Sequence, residues 1–565
     1  MLLKALSRKV DLQFVFGMLG ILLFSVISPS VLAESSYKTP DVNQLASLLS
    51  DLPGANFKKS ALLIKKAEGF VKGAANPELD EVLSGLFKAY LEGKLYFNKS
   101  DKQLLILEEI DGQLSLKDPF NNALSGKANK KQIKKIRVNN RLRKALRKSI
   151  ARLTLFHPHQ EVRLSAVGQL MQKLSDENVS LLREAQESEK SKPVREKIDV
   201  ALALFALDHA EPAIRKQAVT TLAGNMEPAV KAKLDAMLSV NEQGEYLEPS
   251  KAVRMEAQSA LASIDLKRSI YGFVETVFFG LSLGSVLLLV AIGLSITFGV
   301  MGVINMAHGE LIMLGAYTTY VLQSLMPNHI GLAVLLSIPA AFVVSGLVGV
   351  GIERGVIQFL KERPLETLLA TFGISLILQQ TVRTIFSPLN RQVITPEWMS
   401  GALQINPVLS LTYNRLYVIL FSLIVFTLLL LIMKRTVLGL YVRAVSQNRD
   451  MAKAMGIRSE WVDAMTFGLG SGVAGLAGVA LSQLTNVGPN LGQAYIIDSF
   501  MVVVFGGVGN LWGTLVGGLS LGMANKFLEP ATGAVLAKII VLVALVLFIQ
   551  KRPSGLFPQK GRSVE

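Results

Sequence analysis

Ser282-Leu283-Gly284-Ser285-Val286-Leu287-Leu288-Leu289-Val290-Ala291-Ile292-Gly293-Leu294-Ser295-Ile296-Thr297-Phe298 carries no charge over 17 residues. The surrounding stretch, 274–298, is long enough to cross the roughly 30 Å hydrocarbon core of a bilayer as a helix. Downstream the pattern recurs near 306–325, 330–352, 367–386, 415–433, 462–483, 497–511, 513–529 and 534–550, which predicts about nine spans. Upstream, residues 34–268 are charged and mixed in character. A chain of 565 residues exceeds one domain at roughly 150 residues each, and this change of character divides it. The expected domains are a signal peptide over 1–33, a mainly helical domain over 34–268, a transmembrane domain over 269–558, and a tail over 559–565.

Charge orients the spans. The formal net charge is +16. A basic excess can mark a nucleic-acid binder. Here it is explained by loops beside spans, and by a separate basic stretch over 127–148. Arg354, Lys361 and Arg363 share one loop. Lys434, Arg435, Arg443, Arg449, Lys453 and Arg458 share another, and Lys551 and Arg552 follow the last span. Basic loops of this kind face the cytoplasm. At the other end, Lys4, Arg8 and Lys9 precede an apolar run from Leu12 to Ile27 and the small-residue sequence Ser28-Pro29-Ser30-Val31-Leu32-Ala33, a signal-peptide pattern. Whether it is cleaved after Ala33 or kept as an anchor, residue 34 onward lies outside. An external start and a cytoplasmic end require an odd number of spans, which nine satisfies. With no cysteine, disulfides and thiolate metal sites are excluded.

The region before the spans reads as helices over 41–92, then two or three small strands. The strands are Leu95-Tyr96-Phe97, Leu104-Leu105-Ile106-Leu107 and Gln113-Leu114-Ser115-Leu116, separated by Asn98-Lys99-Ser100-Asp101 and Asp111-Gly112. Residues 119–130 read as a polar linker. From about 131 helices resume with a loose repeat. Pro158, Pro193, Pro212 and Pro249 precede Val162-Arg163, Val194-Arg195, Ile214-Arg215 and Val253-Arg254, each followed by a small and an apolar residue (Ala166 and Leu170, Ala201 and Leu202, Ala218 and Leu222, Ala257 and Leu261). This is HEAT-like, where helix pairs bury their apolar faces only by stacking; an ordinary helical bundle is the other reading. His157 and His159 flank Pro158 without a carboxylate at ligand spacing, so a solvated loop is expected there rather than a metal site.

Two interruptions of the apolar pattern carry the functional expectation. Met301-Gly302-Val303-Ile304-Asn305-Met306-Ala307-His308-Gly309-Glu310 places Asn305, His308 and Glu310 between spans. Polar and ionisable groups there are costly and point to a solute path, unless they cap helix ends at the boundary. Gly506-Gly507-Val508-Gly509-Asn510-Leu511-Trp512-Gly513 suggests a broken helix, and irregular backbone at membrane depth survives only when buried in protein or lining a cavity. Gly506, Gly507 and Gly509 therefore join the expected pathway. Asp498 and Lys538 are pathway candidates or a structural pair. In the cytoplasmic loop, Asn448 to Gly456 has a polar start, helix formers and a glycine stop. A short helix there could dock in a groove of a partner; Arg443, Asp450, Met455 and Gly456 are its expected coupling residues. No Gly-x-x-x-x-Gly-Lys-Ser/Thr phosphate loop and no nucleophile–base set occurs. A transport subunit without its own ATPase site, and without cofactor or metal, is expected.

Gly293 through Glu310, Arg443-Ala444, the 448–457 helix, the 506–513 glycines and Arg552-Pro553-Ser554-Gly555-Leu556-Phe557 together resemble the branched-chain amino acid permease family of ABC importers, over about 271–558. The resemblance implies a multi-pass inner-membrane subunit, paired with a second permease subunit, two separate ATP-binding subunits and a periplasmic solute-binding protein. The preceding domain departs from the amino acid permeases, which begin almost at the first span. With its strand region and Val138-Asn139-Asn140-Arg141-Leu142-Arg143, it is similar to the larger permease of urea importers. That likeness implies urea or a short amide as solute; branched-chain amino acids are the alternative, and a passive urea channel a further one. A membrane sensor would need a cytoplasmic output domain.

Overall fold

The computed structural model describes residues 40–74, 76–110, 113–121, 123–127, 132–360 and 363–557. The expected signal peptide 1–33 and tail 559–565 lie outside them. The chain forms two compact units, Met1–Leu222 and Ala223–Glu565.

The first unit begins with helices α1 (Pro40–Leu49), α2 (Phe57–Ala74) and α3 (Pro77–Glu92). Asn76 caps α3 by accepting the Glu78 N–H, and Gly93, with φ +72°, ends it, the left-handed stop that glycine adopts without strain. A five-stranded antiparallel sheet follows, formed by β1 (Leu95–Asn98), β2 (Leu104–Ile110), β3 (Gln113–Lys117), β4 (Leu124–Lys127) and β5 (Ile133–Lys135) in the order β4-β3-β2-β1-β5. Three strands match the sequence reading. Both edge strands do not: β4 lies within the expected linker, and β5 just after it. Neither has the alternating apolar pattern that marks a half-buried strand, and at three or four residues each is too short to show one. Helix α4 (Asn140–Leu155) returns Leu142, Leu146, Ile150 and Leu153 to the core made by Leu45, Leu49, Leu83, Phe87, Tyr90 and Leu95.

Helices α5 (Gln160–Met171), α6 (Asp176–Ser188), α7 (Lys192–Ala206) and α8 (Pro212–Leu222) complete this unit. The loose sequence repeat has a tight geometric basis. Six residues before each repeat arginine stands a side-chain acceptor. His157 Nδ1 accepts from His159 N (3.1 Å), Glu189 Oε1 from Ser191 N (2.8 Å), and His209 Nδ1 from Glu211 N (3.1 Å). The arginine then donates to the carbonyl of that same residue: Arg163 to His157, Arg195 to Glu189, Arg215 to His209. A fourth copy, in the second unit, has Glu248 Oε1 accepting from Ser250 N and Arg254 donating to the Glu248 carbonyl. Each inter-helix turn is thus held from both ends. The HEAT-like reading is the better one, and His157 is a turn acceptor in it. The repeat positions Ala166, Ala201, Ala218, Leu222 and Ala257 are buried, whereas Leu202 is only half-buried.

In the second unit α9 (Pro228–Leu238) packs on the start of α10 (Lys251–Met301). Over its first turns α10 buries one stripe, Val253, Ala257, Ala260, Leu261 and Ile264; from Val286 to Leu294 every side is buried. One continuous helix therefore changes from amphipathic to apolar all round, the change expected on entry to a membrane bundle. Residues 268 and 269 both lie inside it, and the chain divides into its two compact units between Leu222 and Ala223. The bundle continues with α11 (His308–Leu325) and α12 (Ile330–Ile352), which runs on through a π-turn over Glu353–Ile357 to Leu360. Then come α13 (Pro364–Phe386), a hairpin of β6 (Ala402–Gln404) and β7 (Ser410–Thr412), and α14 (Tyr413–Arg435). Next are α15 (Val437–Gln447), α16 (Arg449–Ala454), α17 (Ser459–Ser482), α18 (Gln493–Gly506), α19 (Leu511–Thr532) and α20 (Ala534–Lys551).

Nine of these helices, α10–α14 and α17–α20, overlap the nine expected stretches. Six, α10, α12, α13, α14, α17 and α20, are long and apolar enough to cross a membrane, and α18 is a shorter apolar helix. The protein is a multi-pass membrane protein. At its centre stands α17, whose glycines let three neighbours approach backbone to backbone. A Cβ on Gly470 would lie 2.7 Å from the Gly293 carbonyl of α10, one on Gly478 would lie 2.0 Å from the Ile312 carbonyl of α11, and one on Gly475 would lie 2.5 Å from the Ala341 carbonyl of α12. Without a hydrophobic drive between helices in lipid, such close packing supplies much of the association.

Candidate solute path and coupling loop

Gly302, with φ +69°, ends α10 by donating its N–H to the Phe298 carbonyl. The chain then turns over Val303–Ala307, where Asn305 Oδ1 accepts the Ala307 N–H at 3.0 Å, and α11 starts at His308. This polar start is wholly inside the protein: Asn305, His308 and Glu310 are buried, the latter two with no exposure. The His308 Nε2–H donates to the Val290 carbonyl of α10 at 2.9 Å, through the gap left where residue 293 is glycine. Glu310 Oε1 accepts from Ser375 Oγ on α13 at 3.0 Å. Each of the three keeps one buried polar atom with no hydrogen-bond partner among the described residues: Asn305 Nδ2, His308 Nδ1 and Glu310 Oε2. Native interiors leave few such atoms, and each calls for an explanation.

Ser375 belongs to a row that the sequence analysis passed over. Thr367, Thr371, Ser375 and Gln379 are buried on one side of α13, while Leu365, Leu369, Leu376, Ile377 and Ile385 on its other sides are exposed. Four residues apart, the four span about 18 Å of helix rise. Thr371 Oγ1 accepts from Met306 N, and Gln379 Nε2 donates to Asn490 Oδ1 and to the Pro489 carbonyl. Arg383 follows one turn on and donates to Asn490 Oδ1 at 2.8 Å. The i, i+4 recurrence of hydroxyl and amide residues inside an apolar run was the available signal. It was missed because each residue alone is weakly polar and common in membrane helices.

The glycine break sits elsewhere. Helix α18 ends at Gly506, short of the expected 497–511 stretch, and α19 starts at Leu511. Gly506 faces Gly513 directly. Gly507, with φ +102°, lies under the chain's own 554–557 segment; a Cβ there would meet the Phe557 carbonyl at 2.6 Å. Leu556 N donates to the Phe505 carbonyl, Phe557 N to the Gly506 carbonyl, and Asn510 Nδ2 to the Phe557 carbonyl. Gly509 approaches the Gly299 position of α10. The structure thus brings together two motifs that were read separately, the glycines and the Arg552–Phe557 segment. Among the described residues no hydrogen bond or ion pair joins Gly506, Gly507 or the 552–557 segment to Asn305, His308 or Glu310. Asp498 and Lys538 form an ion pair at 2.9 Å between α18 and α20.

In the coupling loop Asn448 Oδ1 accepts the Met451 N–H and caps α16, and Gly456, with φ +85°, ends it. Arg449, the first residue of α16, makes a bidentate pair with Asp463 of α17 at 2.8 and 3.1 Å, and Asp463 has no exposure. Arg443 donates to the Met433 carbonyl at the end of α14. Asp450 is exposed, as are Met451 and Met455, the latter by 81%. The sequence picked the exposed members of this loop. It did not pair Arg449 with Asp463, which lie 14 residues apart across a turn. Among the described residues no group of three His, Cys, Asp or Glu side chains could hold a metal ion.

Residues 276–549 match the family described as branched-chain amino acid transport system, permease component. That match covers the membrane part of the chain. Its membrane part is 29% identical to the high-affinity branched-chain amino acid transport system permease protein BraD of Pseudomonas aeruginosa, over 51% of this chain and 96% of the relative. It is also 29% identical to the corresponding protein LivH of Escherichia coli strain K12, over 50% of this chain and 95% of the relative. A shorter match of 30% identity joins it to the ribose import permease protein RbsC of Haemophilus influenzae, over 22% of this chain and 42% of that one. No solved structure matches the chain. The two polar sites lie within the matched residues, and the first compact unit lies outside them.

Proposed function

We propose that the protein is the membrane subunit of an ATP-driven importer, and that solute passes along the seam between α11 and α13. The observation that carries this reading is the set of unpartnered buried atoms on Asn305, His308 and Glu310 beside the polar row of α13. A donor, an acceptor and a carboxyl oxygen left unpartnered within six residues of one membrane segment are what a small polar solute needs when it sheds water. ATP would be hydrolysed by separate subunits that dock on α16, with a second permease subunit completing the path and a solute-binding protein delivering to it. The first unit would lie in the periplasm.

For the solute, the relatives favour a branched-chain amino acid over urea. Urea or a short amide remains a second reading. It is favoured by the first unit, for which a relative already matched over 96% of its length by half of this chain has almost no remaining length. The match to a ribose import permease, over 42% of that protein, is compatible with a solute other than an amino acid. The test is uptake of labelled leucine and labelled urea in a deletion strain carrying the operon with Glu310→Gln or wild type. Losing a charged hydrogen-bond acceptor should lower uptake about tenfold, a factor equivalent to about 1.4 kcal/mol, at unchanged membrane abundance. Wild-type uptake by the variant would return Glu310 to a structural role, and whichever solute the wild-type operon restores decides between the two readings.

A further inference from the structure

From Pro119 to Gln160 the chain contains no acidic residue, and the stretch is dense in lysine and arginine. Its orientation function near spans cannot explain it, because it lies more than a hundred residues before the first one. The structure shows how these charges are displayed. In α4 the buried positions are Leu142, Leu146, Ser149 and Ile150, while Arg141, Arg143, Lys144, Arg147 and Lys148 are all exposed. The apolar side fixes the helix to the core of the first unit, so the opposite side is a pre-organised cationic face about 10 Å long. Edge strand β5 continues it in the chain with exposed Lys134 and Lys135, followed by Arg137.

Some of these cations are already neutralised. Lys144 and Lys148 both reach Glu177, at 3.0 and 3.4 Å. Arg141, Arg143 and Arg147 make no ion pair among the described residues, nor do Lys134 and Lys135. Lysines on an edge strand guard against strand addition, which accounts for β5 but not for three arginines on a helix. Guanidinium groups are suited to bidentate contact with phosphate oxygens. The face carries no aromatic side chain for base stacking, which argues against a nucleic acid.

We propose that this face of α4 lies on the anionic phospholipid surface of the bilayer. The chain itself supplies the argument for that occupant. Its second unit spans a membrane, so phosphate headgroups are tethered at high effective concentration to the first unit at all times, and juxtaposed Lys and Arg are drawn to anionic lipid by simple charge attraction. The proposal does not depend on which solute is carried.

The absence of cysteine makes the test clean. Asn140→Cys, at an exposed position next to the cap, gives a single site for a fluorophore on the full-length protein. The labelled protein is placed in nanodiscs containing a headgroup-quencher lipid, with phosphatidylcholine alone or mixed with phosphatidylglycerol. Expected is at least about threefold stronger quenching with phosphatidylglycerol, falling to the phosphatidylcholine level near 1 M salt, where the Debye length is about 3 Å. R141Q/R143Q/R147Q should abolish the difference. K58Q/K65Q/K66Q, which removes three exposed charges from α2, should keep it. Equal quenching in both lipids overturns the proposal. So does loss of the difference in both triple variants, and so does a label that responds only when an acidic protein is added.

Discussion

His157 has to be neutral to do what the structure asks of it. Its Nδ1 accepts the His159 N–H, and a protonated ring has no acceptor to offer. Burial, then the neighbouring His159, hold its pKa below the ordinary 6.5. The unfolded chain therefore binds the proton more readily than the folded one, and stability contributed above pH 6.5 is lost as pH falls below it. The first unit should melt at a progressively lower temperature between pH 7 and pH 5. His157→Asn, which can make the same turn without titrating, should flatten that profile; thermal melts of both proteins across the range decide it. The same residue shows why site chemistry was only partly legible in the sequence. His157 was read as a solvated loop residue because ligand spacing was lacking, and the turn it closes needs Arg163, six positions on, to be recognised. Glu310 was legible because one carboxylate in an apolar setting stands out. Its partner Ser375 was not, because a serine inside a span is ordinary.

At the level of single elements, α16 invites the sharpest tests. The exposed Met451 on it and Met455 just after it are the flexible apolar kind that adapt to a partner groove, whereas Arg449 ties it inward to a carboxylate with no exposure. Met455→Asp should leave the protein in the membrane at normal abundance, yet separate ATP hydrolysis by the assembled complex from uptake. Solute-stimulated ATPase activity that stays fully coupled in that variant would make the loop a mere connector. Arg449→Leu should act differently. Stranding a buried charge costs about 3–5 kcal/mol, so abundance should fall, and the paired change R449L/D463L should restore much of it. Quantitative blots of the three proteins test this. Among the elements, long apolar helices were readable from composition alone, and so was the capped helix at 448–456, through its Asn start and Gly stop. Strands β4 and β5 were not, since their pairing is a property of neighbouring strands and not of their own residues. The break at Gly506 was readable as a break, but not its occupant: that depended on Leu556 and Phe557, about fifty residues away, returning to cover it.

Across the whole molecule, the expected topology rests on two separate charge signals, and the chain's lack of cysteine allows it to be checked. A cysteine at exposed Lys65 should react with an impermeant maleimide added to spheroplasts, and one at exposed Asp450 should react only after the membrane is opened. The reverse pattern would invert the orientation. The change from charged to apolar sequence is legible in composition, yet no break in the backbone accompanies it, because α10 runs unbroken from Lys251 to Met301. That continuity sets a phase relation. A helix turns about 100° per residue, so the stripe that holds α9 keeps a fixed azimuth to the face that meets α17 and α19. One alanine inserted near 269 would swing the α9 pair about 100° around the bundle, whereas seven would bring it back to within about 20°, displaced by two turns. Function lost on the first insertion and regained on the second would show that the angle, and not merely the tether, is what the long helix preserves.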